Sequence, residues 1–150
     1  MTEGQWGREV DVLVAGTGNG GLTAAQCNWE MGCQDILVIE KGTKVGGTSA
    51  TSGGGIWVPN SHYAKAAGAD DSQEAAKAYL TNTLFGEDVP EALIDAYLEN
   101  GPKMLRFLHD RTDVRYESLE HYPDYYTNME GAREGHRSLE PAPVMASELG

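Results

Sequence analysis

Residues 11–41 of this chain read DVLVAGTGNGGLTAAQCNWEMGCQDILVIEK, and this stretch decides its fold. Its two apolar ends predict strands over Val10–Ala15 and Ile36–Glu40, and the part between them predicts a helix over Gly20–Met31. Gly32 comes directly after that helix, where a left-handed residue commonly ends one. A strand, a helix and a second strand joined by short turns predict a right-handed βαβ unit with parallel strands.

Three glycines, Gly16, Gly18 and Gly21, lie between the first strand and the helix in G-x-G-x-x-G spacing. The first permits a tight turn, the second lets a pyrophosphate approach the backbone, and the third lets the helix pack closely on the strand. The helix N-terminus favours phosphate. Glu40 ends the second strand, where an acidic residue accepts hydrogen bonds from ribose hydroxyls. We therefore predict a dinucleotide site; the alternative is that the glycines serve only the turn.

The composition excludes several classes of partner. The 150 residues carry 11 Lys and Arg against 23 Asp and Glu, a formal net charge of −12. A surface this acidic repels nucleic acid and anionic lipid. No apolar run is long enough to span a bilayer, and the N-terminus has no signal-peptide pattern, which predicts a cytoplasmic protein. Cys27 and Cys33 have neither metal-binding nor redox spacing, so no metal site is predicted and both thiols are expected to be reduced.

The chain changes character after the βαβ unit, which we place at 10–41. Residues 42–60 are rich in Gly, Ser and Thr and end in the apolar group Ile56-Trp57-Val58-Pro59. A flexible linker is one interpretation. The apolar ending favours a loop whose backbone lies against a planar ligand, because glycine permits close approach and exposes N–H donors. Trp57 is expected to pack in the core near that ligand.

Residues 70–110 read as helices that serve packing. Ser72 is expected to cap a helix that runs to about Phe85. Asp88 and Glu91 are expected to form a capping box for a second helix. The sequence Asn100-Gly101-Pro102 predicts the end of that helix and the start of a third.

Residues 115–150 predict a long irregular segment with four tyrosines, Tyr116, Tyr122, Tyr125 and Tyr126, within a few turns. Irregular segments of this length are uncommon at the end of a compact domain unless something beyond them holds them in place. Arg137, near the end of the segment, is expected to pair with Glu140 or another nearby carboxylate.

Three strings together carry a resemblance to a known family: IEKGTKVGGTSATSGGGIWVPN (39–60), YPDYY (122–126) and GHRSLEPAPV (135–144). They resemble the 3-ketosteroid dehydrogenase (3-oxosteroid 1-dehydrogenase) branch of the FAD-dependent fumarate reductase/succinate dehydrogenase flavoproteins. The resemblance covers the whole chain, but members of this family are several times longer. It therefore implies an incomplete α/β domain, the N-terminal part of a Rossmann-like FAD-binding domain, without the catalytic domain.

The resemblance implies FAD as the dinucleotide. The candidate FAD contacts that it carries over are Gly16, Gly18, Gly21, Glu40, Lys41, Gly47, Thr48, Ser52 and Gly54.

The reaction implied by the resemblance is dehydrogenation of the A-ring of a 3-ketosteroid. A base removes a proton beside the ketone, and a hydride leaves to the flavin. The first tyrosine of the PDYY motif, here Tyr125, supports the basic tyrosine, which lies in parts of the family that this chain lacks. The implied partners are a ketosteroid-like substrate and an electron acceptor. Two alternatives remain: another flavoprotein of the fumarate reductase type, or a non-catalytic FAD-binding fragment, and the isolated chain is expected to be inactive.

Overall fold

The computed structural model of the protein describes residues 7–145 and 147. The chain divides into two compact units, Met1–Gly54 and Gly55–Gly150. Within the described residues, no helix combines the length and the apolar character that crossing a bilayer requires.

The first unit contains the predicted βαβ motif. It consists of strand β1 (Val12–Ala15), helix α1 (Asn19–Glu30) and strand β2 (Ile36–Ile39). The two strands are parallel, with Val12 opposite Ile36 and Ala15 opposite Ile39. Gly32 follows the helix with φ of 99°, so its predicted left-handed conformation is confirmed. A short 3₁₀ helix, Gly47–Thr51, lies in the glycine-rich segment that follows β2.

Several large apolar side chains of this unit are exposed. Leu13 on β1 is 58% exposed, Trp29 on α1 is 53% exposed, and Ile39 on β2 is 44% exposed. Parallel sheets normally have both faces covered. The exposure is what we expect of a sheet that forms only part of a larger domain.

The second unit is organised around a three-stranded antiparallel sheet. Strands β3 (Ile56–Trp57), β4 (Tyr116–Ser118) and β5 (Ser138–Pro141) lie in the order β3-β5-β4. Leu139 on the central strand is fully buried and packs with Val58 and Leu105. The prediction of an irregular segment over 115–150 is therefore wrong at β4 and β5. Strands of three and four residues are too short to show an alternating pattern, and β5 pairs with a segment more than 80 residues earlier.

The helices that follow β3 are α2 (His62–Ala66), which the sequence did not predict, and α3 (Gln73–Thr83). The cap predicted for α3 is confirmed, because Ser72 Oγ accepts a hydrogen bond of 3.1 Å from the Ala75 N–H. The helix ends two residues before Phe85, and Gly86 is left-handed with φ of 90°.

Helix α4 (Glu91–Arg111) contradicts two predictions. The residue before it is Pro90 and no side chain caps it, so the capping box of Asp88 and Glu91 does not form. Pro102 lies inside a continuous helix instead of starting a new one.

The continuity of α4 has a packing explanation. A proline inside a helix removes one backbone hydrogen bond. Near it the helix backbone approaches its neighbour closely, since a Cβ atom on Gly101 would lie 3.2 Å from Val58 Cγ1. One face of the helix is buried on both sides of the proline, and its buried residues are Ile94, Leu98, Leu105 and Leu108. The burial of this face outweighs the local signal from Asn100-Gly101-Pro102.

Candidate functional site

The turn between β1 and α1 requires glycine at two of its three motif positions. Gly16 has φ of 103°, which other residues rarely adopt. A Cβ atom on Gly21 would lie 2.0 Å from the Gly16 carbonyl oxygen and 3.4 Å from Val14 Cγ1. These two glycines therefore serve the turn and the close packing of helix on strand.

Gly18 differs from the other two glycines. Its φ of −70° and ψ of 176° suit any residue. A Cβ atom there would meet only Ser49 Oγ, at 3.7 Å, which is ordinary contact distance. The protein itself therefore gives no reason for glycine at this position. A pyrophosphate lying against the backbone does give one, so the turn fits the dinucleotide that the sequence predicts.

The glycine-rich loop packs beside this turn. The Asn19 N–H, at the start of α1, donates a hydrogen bond of 3.1 Å to Ser49 Oγ. The first N–H groups of a helix have no acceptor within the helix, and this hydroxyl satisfies one of them. A Cβ atom on Gly47 would lie 3.6 Å from Gly18 Cα. Two predicted cofactor residues, Gly18 and Gly47, are therefore neighbours.

Thr17 connects three segments of the first unit. Its side chain is buried, and its hydroxyl donates to Glu40 Oε2 at the end of β2. The same hydroxyl accepts a hydrogen bond of 2.8 Å from the Gly46 N–H, and the Thr17 N–H donates to Glu40 Oε2 at 3.1 Å. Sequence reasoning missed this residue because it occupies a variable position of the motif. Its partners lie 23 and 29 positions away in the chain.

These contacts set the charge of Glu40. The hydrogen bond from the Thr17 hydroxyl, followed by those from the backbone N–H groups of Gly42 and Thr17, lowers the pKa of Glu40 to about 2. The carboxylate is therefore ionised at neutral pH and held in one place, as an acceptor of ribose hydroxyls must be. Oε2 accepts both hydrogen bonds from Thr17, and Oε1 accepts the one from Gly42.

The remaining residues predicted to contact the cofactor are Lys41, Thr48, Ser52 and Gly54. Lys41 is exposed. The Thr48 carbonyl accepts a hydrogen bond of 3.0 Å from Thr51 Oγ1. Ser52 Oγ accepts one of 3.1 Å from the Gly54 N–H, so these two form a local turn. The N–H groups of Gly46 and Gly54, expected to face a ligand, thus have partners within the protein. Their contact with the cofactor stays a prediction.

The predicted catalytic residue, Tyr125, is 89% exposed. Its ring meets the edge of the Tyr126 ring at a centroid distance of 5.1 Å, and Tyr126 meets Phe85 in the same way at 5.0 Å. Its catalytic role stays a prediction.

Arg137 lies at the centre of a buried polar cluster in the second unit. It is 2% exposed and forms ion pairs of 2.7 Å with both Asp71 and Asp124. Of the two alternatives predicted for Arg137, pairing with Glu140 is wrong, since Glu140 lies exposed on β5, and pairing with other carboxylates is observed. The Trp57 indole donates a hydrogen bond of 2.6 Å to Asp124, and the guanidinium lies 5.7 Å from the Trp57 ring centroid. Trp57 is half-buried and packs against this cluster, and its predicted position near the ligand stays a prediction.

Arg137 stabilises the ionised form of Asp71 in this cluster. Burial alone would raise the pKa of Asp71, but the hydrogen bonds and positive charge of Arg137 hold this pKa below its usual range. Arg137 is therefore paired on two sides and is not available to bind a substrate carboxylate. Sequence reasoning could not find the cluster, because Asp71 and Arg137 lie 66 positions apart.

Comparison with known proteins agrees with this geometry. The profile of the family described as "FAD binding domain" matches residues 11–150. A 3-oxosteroid 1-dehydrogenase of Mycobacterium tuberculosis (strain ATCC 25618 / H37Rv) is 42% identical over 95% of this chain and 25% of its own length. A 4-oxocyclohexanecarboxylate 2-dehydrogenase of Sinomonas cyclohexanicum is 40% identical over 93% of this chain and 24% of its own length.

A solved structure extends the comparison to the fold. The 3-ketosteroid Δ1-dehydrogenase from Sterolibacterium denitrificans, in complex with 1,4-androstadiene-3,17-dione, matches 94% of this chain and 24% of its own chain. The TM-score is 0.85 and the sequence identity is 38%. The resemblance to 3-ketosteroid dehydrogenases is confirmed, and the chain spans about a quarter of the length of these relatives. It belongs to the FAD-binding-domain family, and its cofactor is FAD.

Proposed function

We propose that this chain is the cofactor-binding part of an FAD-dependent dehydrogenase that introduces a double bond beside the ketone of a six-membered ring, with a 3-ketosteroid as substrate. The relatives from Mycobacterium and Sterolibacterium carry this activity in their names, and the one from Sinomonas acts on another ring ketone. The observation that carries the cofactor part is Gly18, where the protein leaves open the space that a pyrophosphate needs.

The first unit would hold the cofactor. The turn at Gly16, Gly18 and Gly21 would bind the pyrophosphate, and Glu40 would accept a hydrogen bond from the ribose. Residues of the following segment would continue the contact, namely Lys41, Gly47, Thr48, Ser52 and Gly54. When bound, FAD supplies the acceptor for the hydride that leaves the substrate ring.

Tyr125 would act on the proton that leaves the ring. A free phenol has a pKa of about 10 and is a poor base at neutral pH. A second phenol that donates a hydrogen bond stabilises the negative charge that the basic tyrosine carries before it takes the proton, and so lowers its pKa. The exposed hydroxyl of Tyr125 is free to donate to such a partner outside the described residues.

The enzyme also needs an electron acceptor and a location in the cell. The two electrons removed from the ring must pass to an external electron acceptor, which we propose as the second partner. We also propose a cytoplasmic location, supported by the two unpaired cysteines, Cys27 and Cys33.

A ring ketone that carries a carboxylate is the second candidate substrate, because the Sinomonas relative is about as similar as the steroid enzymes. Such a substrate needs a cation, and Arg137 is already held by two carboxylates. The steroid is preferred because the relatives from Mycobacterium and Sterolibacterium are both named as steroid dehydrogenases. Turnover of 4-oxocyclohexanecarboxylate but not of a 3-ketosteroid would reverse this order.

Gly18→Val tests the cofactor site. The valine side chain would occupy the place of the pyrophosphate, so we expect bound flavin to be lost. The free energy of unfolding should fall by only about 1 kcal/mol, as for other changes at a helix N-cap. Gly7→Val is the matched control, because a Cβ atom there meets nothing within 4 Å. Flavin absorbance at the stoichiometry of the parent protein would contradict the proposed placement.

Tyr125→Phe tests the reaction in the full-length natural protein, with a 3-ketosteroid and an artificial electron acceptor. Loss of a hydrogen-bond donor to developing charge should lower kcat about 100-fold, with flavin still bound. Tyr122→Phe, in the same exposed segment, should leave kcat unchanged. Turnover of an unsaturated acid in place of ring ketones would favour a flavoprotein of the fumarate reductase type. Flavin binding without turnover of any of these substrates would leave only a binding function.

A further inference from the structure

Tyr125 lies in a closed loop of the second unit. The Asp124 N–H donates to the Arg133 carbonyl, and the Arg133 N–H donates back to Asp124 Oδ2, both at 2.9 Å. These reciprocal bonds join the two ends of residues 124–133, which we name the tyrosine loop. Tyr125 is the first residue inside it.

Buried side chains form hydrogen bonds to this loop. The carboxylate of Asp124 is 1% exposed and accepts hydrogen bonds from Trp57 Nε1 at 2.6 Å and from Arg137 Nη1 at 2.7 Å. Arg137 Nη1 also donates to the Gly131 carbonyl at 2.8 Å, near the other end of the loop. A single guanidinium thus contacts both arms of the loop.

Helix α3 provides the second support. Arg137 binds Asp71, just before this helix, through two hydrogen bonds of 3.0 and 2.7 Å. The hydroxyl of Tyr79 on α3 accepts a hydrogen bond of 3.1 Å from the Tyr126 N–H. A Cβ atom on Gly131 would lie 2.2 Å from the Ala75 carbonyl oxygen, so the loop backbone rests directly on the helix.

The result is an exposed side chain on a firmly held backbone. Both neighbours of Tyr125 are anchored, Asp124 by its carboxylate and N–H and Tyr126 by its N–H, yet the Tyr125 side chain is 89% exposed. Burying charges costs solvation free energy, so a buried ion-pair cluster is poorly explained by stability alone. Holding one conformation of the tyrosine loop explains it.

We propose that Asp124, Arg137 and Tyr79 are positioning residues that set the place of the Tyr125 hydroxyl for the reaction. This inference rests on the proposed function. Asp124 and Arg137 act through the closure of the loop, and Tyr79 acts through the backbone on the other side of Tyr125.

Amide hydrogen exchange tests whether the loop is held in this way. Tyr79→Phe removes only the acceptor of the Tyr126 N–H, and exchange of this amide should become about 10-fold faster. Tyr63→Phe is the matched control, because its hydroxyl contacts His109 and not the loop. Asp124→Asn places an amide donor against the donors Arg133 and Arg137, and it should speed exchange of the Arg133 N–H. Unchanged exchange in both variants would overturn the proposal.

Turnover of the full-length natural protein tests whether the held loop matters for the reaction. Tyr79→Phe and Asp124→Asn should each lower kcat about 10-fold with little change in KM, since misplacement by a fraction of an ångström weakens catalysis. If they act through Tyr125, either change made on top of Tyr125→Phe should lower kcat less than 2-fold further. The same 10-fold loss in that background would show a general structural effect and overturn the proposal.

The two proposals fail in different ways. If Tyr125→Phe keeps full turnover, the role of Tyr125 in the proposed function is wrong, and the positioning role is wrong with it. If Tyr125→Phe loses turnover while Tyr79→Phe and Asp124→Asn keep it, the proposed function stands and only the positioning role is overturned.

Discussion

The glycine turn at residues 16–21 and the tyrosine loop at residues 124–133 are held by opposite means. In the turn, the absence of side chains lets backbone meet backbone, as at Gly21 and Gly16. In the loop, a fully buried arginine and two carboxylates bind backbone and side chains from distant parts of the chain. The comparison teaches that a site built from backbone geometry leaves a spacing pattern in the sequence, whereas one built from long-range charge pairs does not.

Removing the positive charge of Arg137, which contacts both arms of the tyrosine loop, should have the largest effect. Arg137→Met would remove the buried positive charge that pairs with the carboxylates of Asp71 and Asp124, and we expect the free energy of unfolding to fall by about 3–5 kcal/mol. Urea unfolding measures this change. Arg133→Met is the control, because the Arg133 side chain is 41% exposed and its ion pair with Asp71 is longer, at 3.5 Å. A loss as large in the control would show that burial is not the cause.

The glycine turn should show a smaller effect that depends on position. Gly21→Ala forces a methyl group against the Gly16 carbonyl, and we expect a loss of about 1–3 kcal/mol in the free energy of unfolding. Gly20→Ala meets nothing within 4 Å, and alanine favours a helix over glycine by about 1 kcal/mol, so this variant should be slightly stabilised. Thermal or urea unfolding compares the two. Equal effects would contradict the packing role of Gly21.

The glycine turn also depends on one side chain, that of Thr17. Removing the Thr17 hydroxyl should have the smallest effect on stability among these changes. Thr17→Val removes the hydroxyl and should cost about 1 kcal/mol. It should also raise the pKa of Glu40 from about 2, because the Thr17 hydroxyl is the largest cause of the lowered value. Thr17→Ser keeps the hydroxyl and should keep the low pKa. Titration of the Glu40 carboxyl by NMR measures both variants.

Because the pKa of Glu40 is low in the folded protein, its contribution to the free energy of unfolding depends on pH. Because the folded protein holds the ionised form, the stabilisation is complete above the ordinary glutamate value and is lost as the pH falls toward 2. In Thr17→Val the loss should be smaller and should be complete at a higher pH than in the parent protein, while it begins at the same pH, which the unfolded state sets. An identical acid dependence in the two proteins would contradict the role of the hydroxyl.

The predictions from sequence succeeded where a short stretch contained its own partners. The βαβ unit, the left-handed Gly32 and the Ser72 cap all depend on contacts within a few residues or on one repeated pattern. They failed where distant packing outweighed local preference. The helix end predicted at Pro102 does not occur, because one face of α4 is buried on both sides of the proline. Strand β5 forms because β3 and β4 pair with it on both sides.

By itself the sequence determined the βαβ unit, the family and the cofactor FAD. Glycine spacing, strand periodicity and an acidic residue at the end of β2 are properties of the backbone and of neighbouring residues, which a linear pattern records. Only the tertiary structure decided that Gly18 is open while Gly21 is packed, that Thr17 fixes Glu40, and that Arg137 contacts both arms of the tyrosine loop. These features depend on contacts that only the folded chain creates. Buried hydrogen bonds and ion pairs form only where the fold brings their donors and acceptors together.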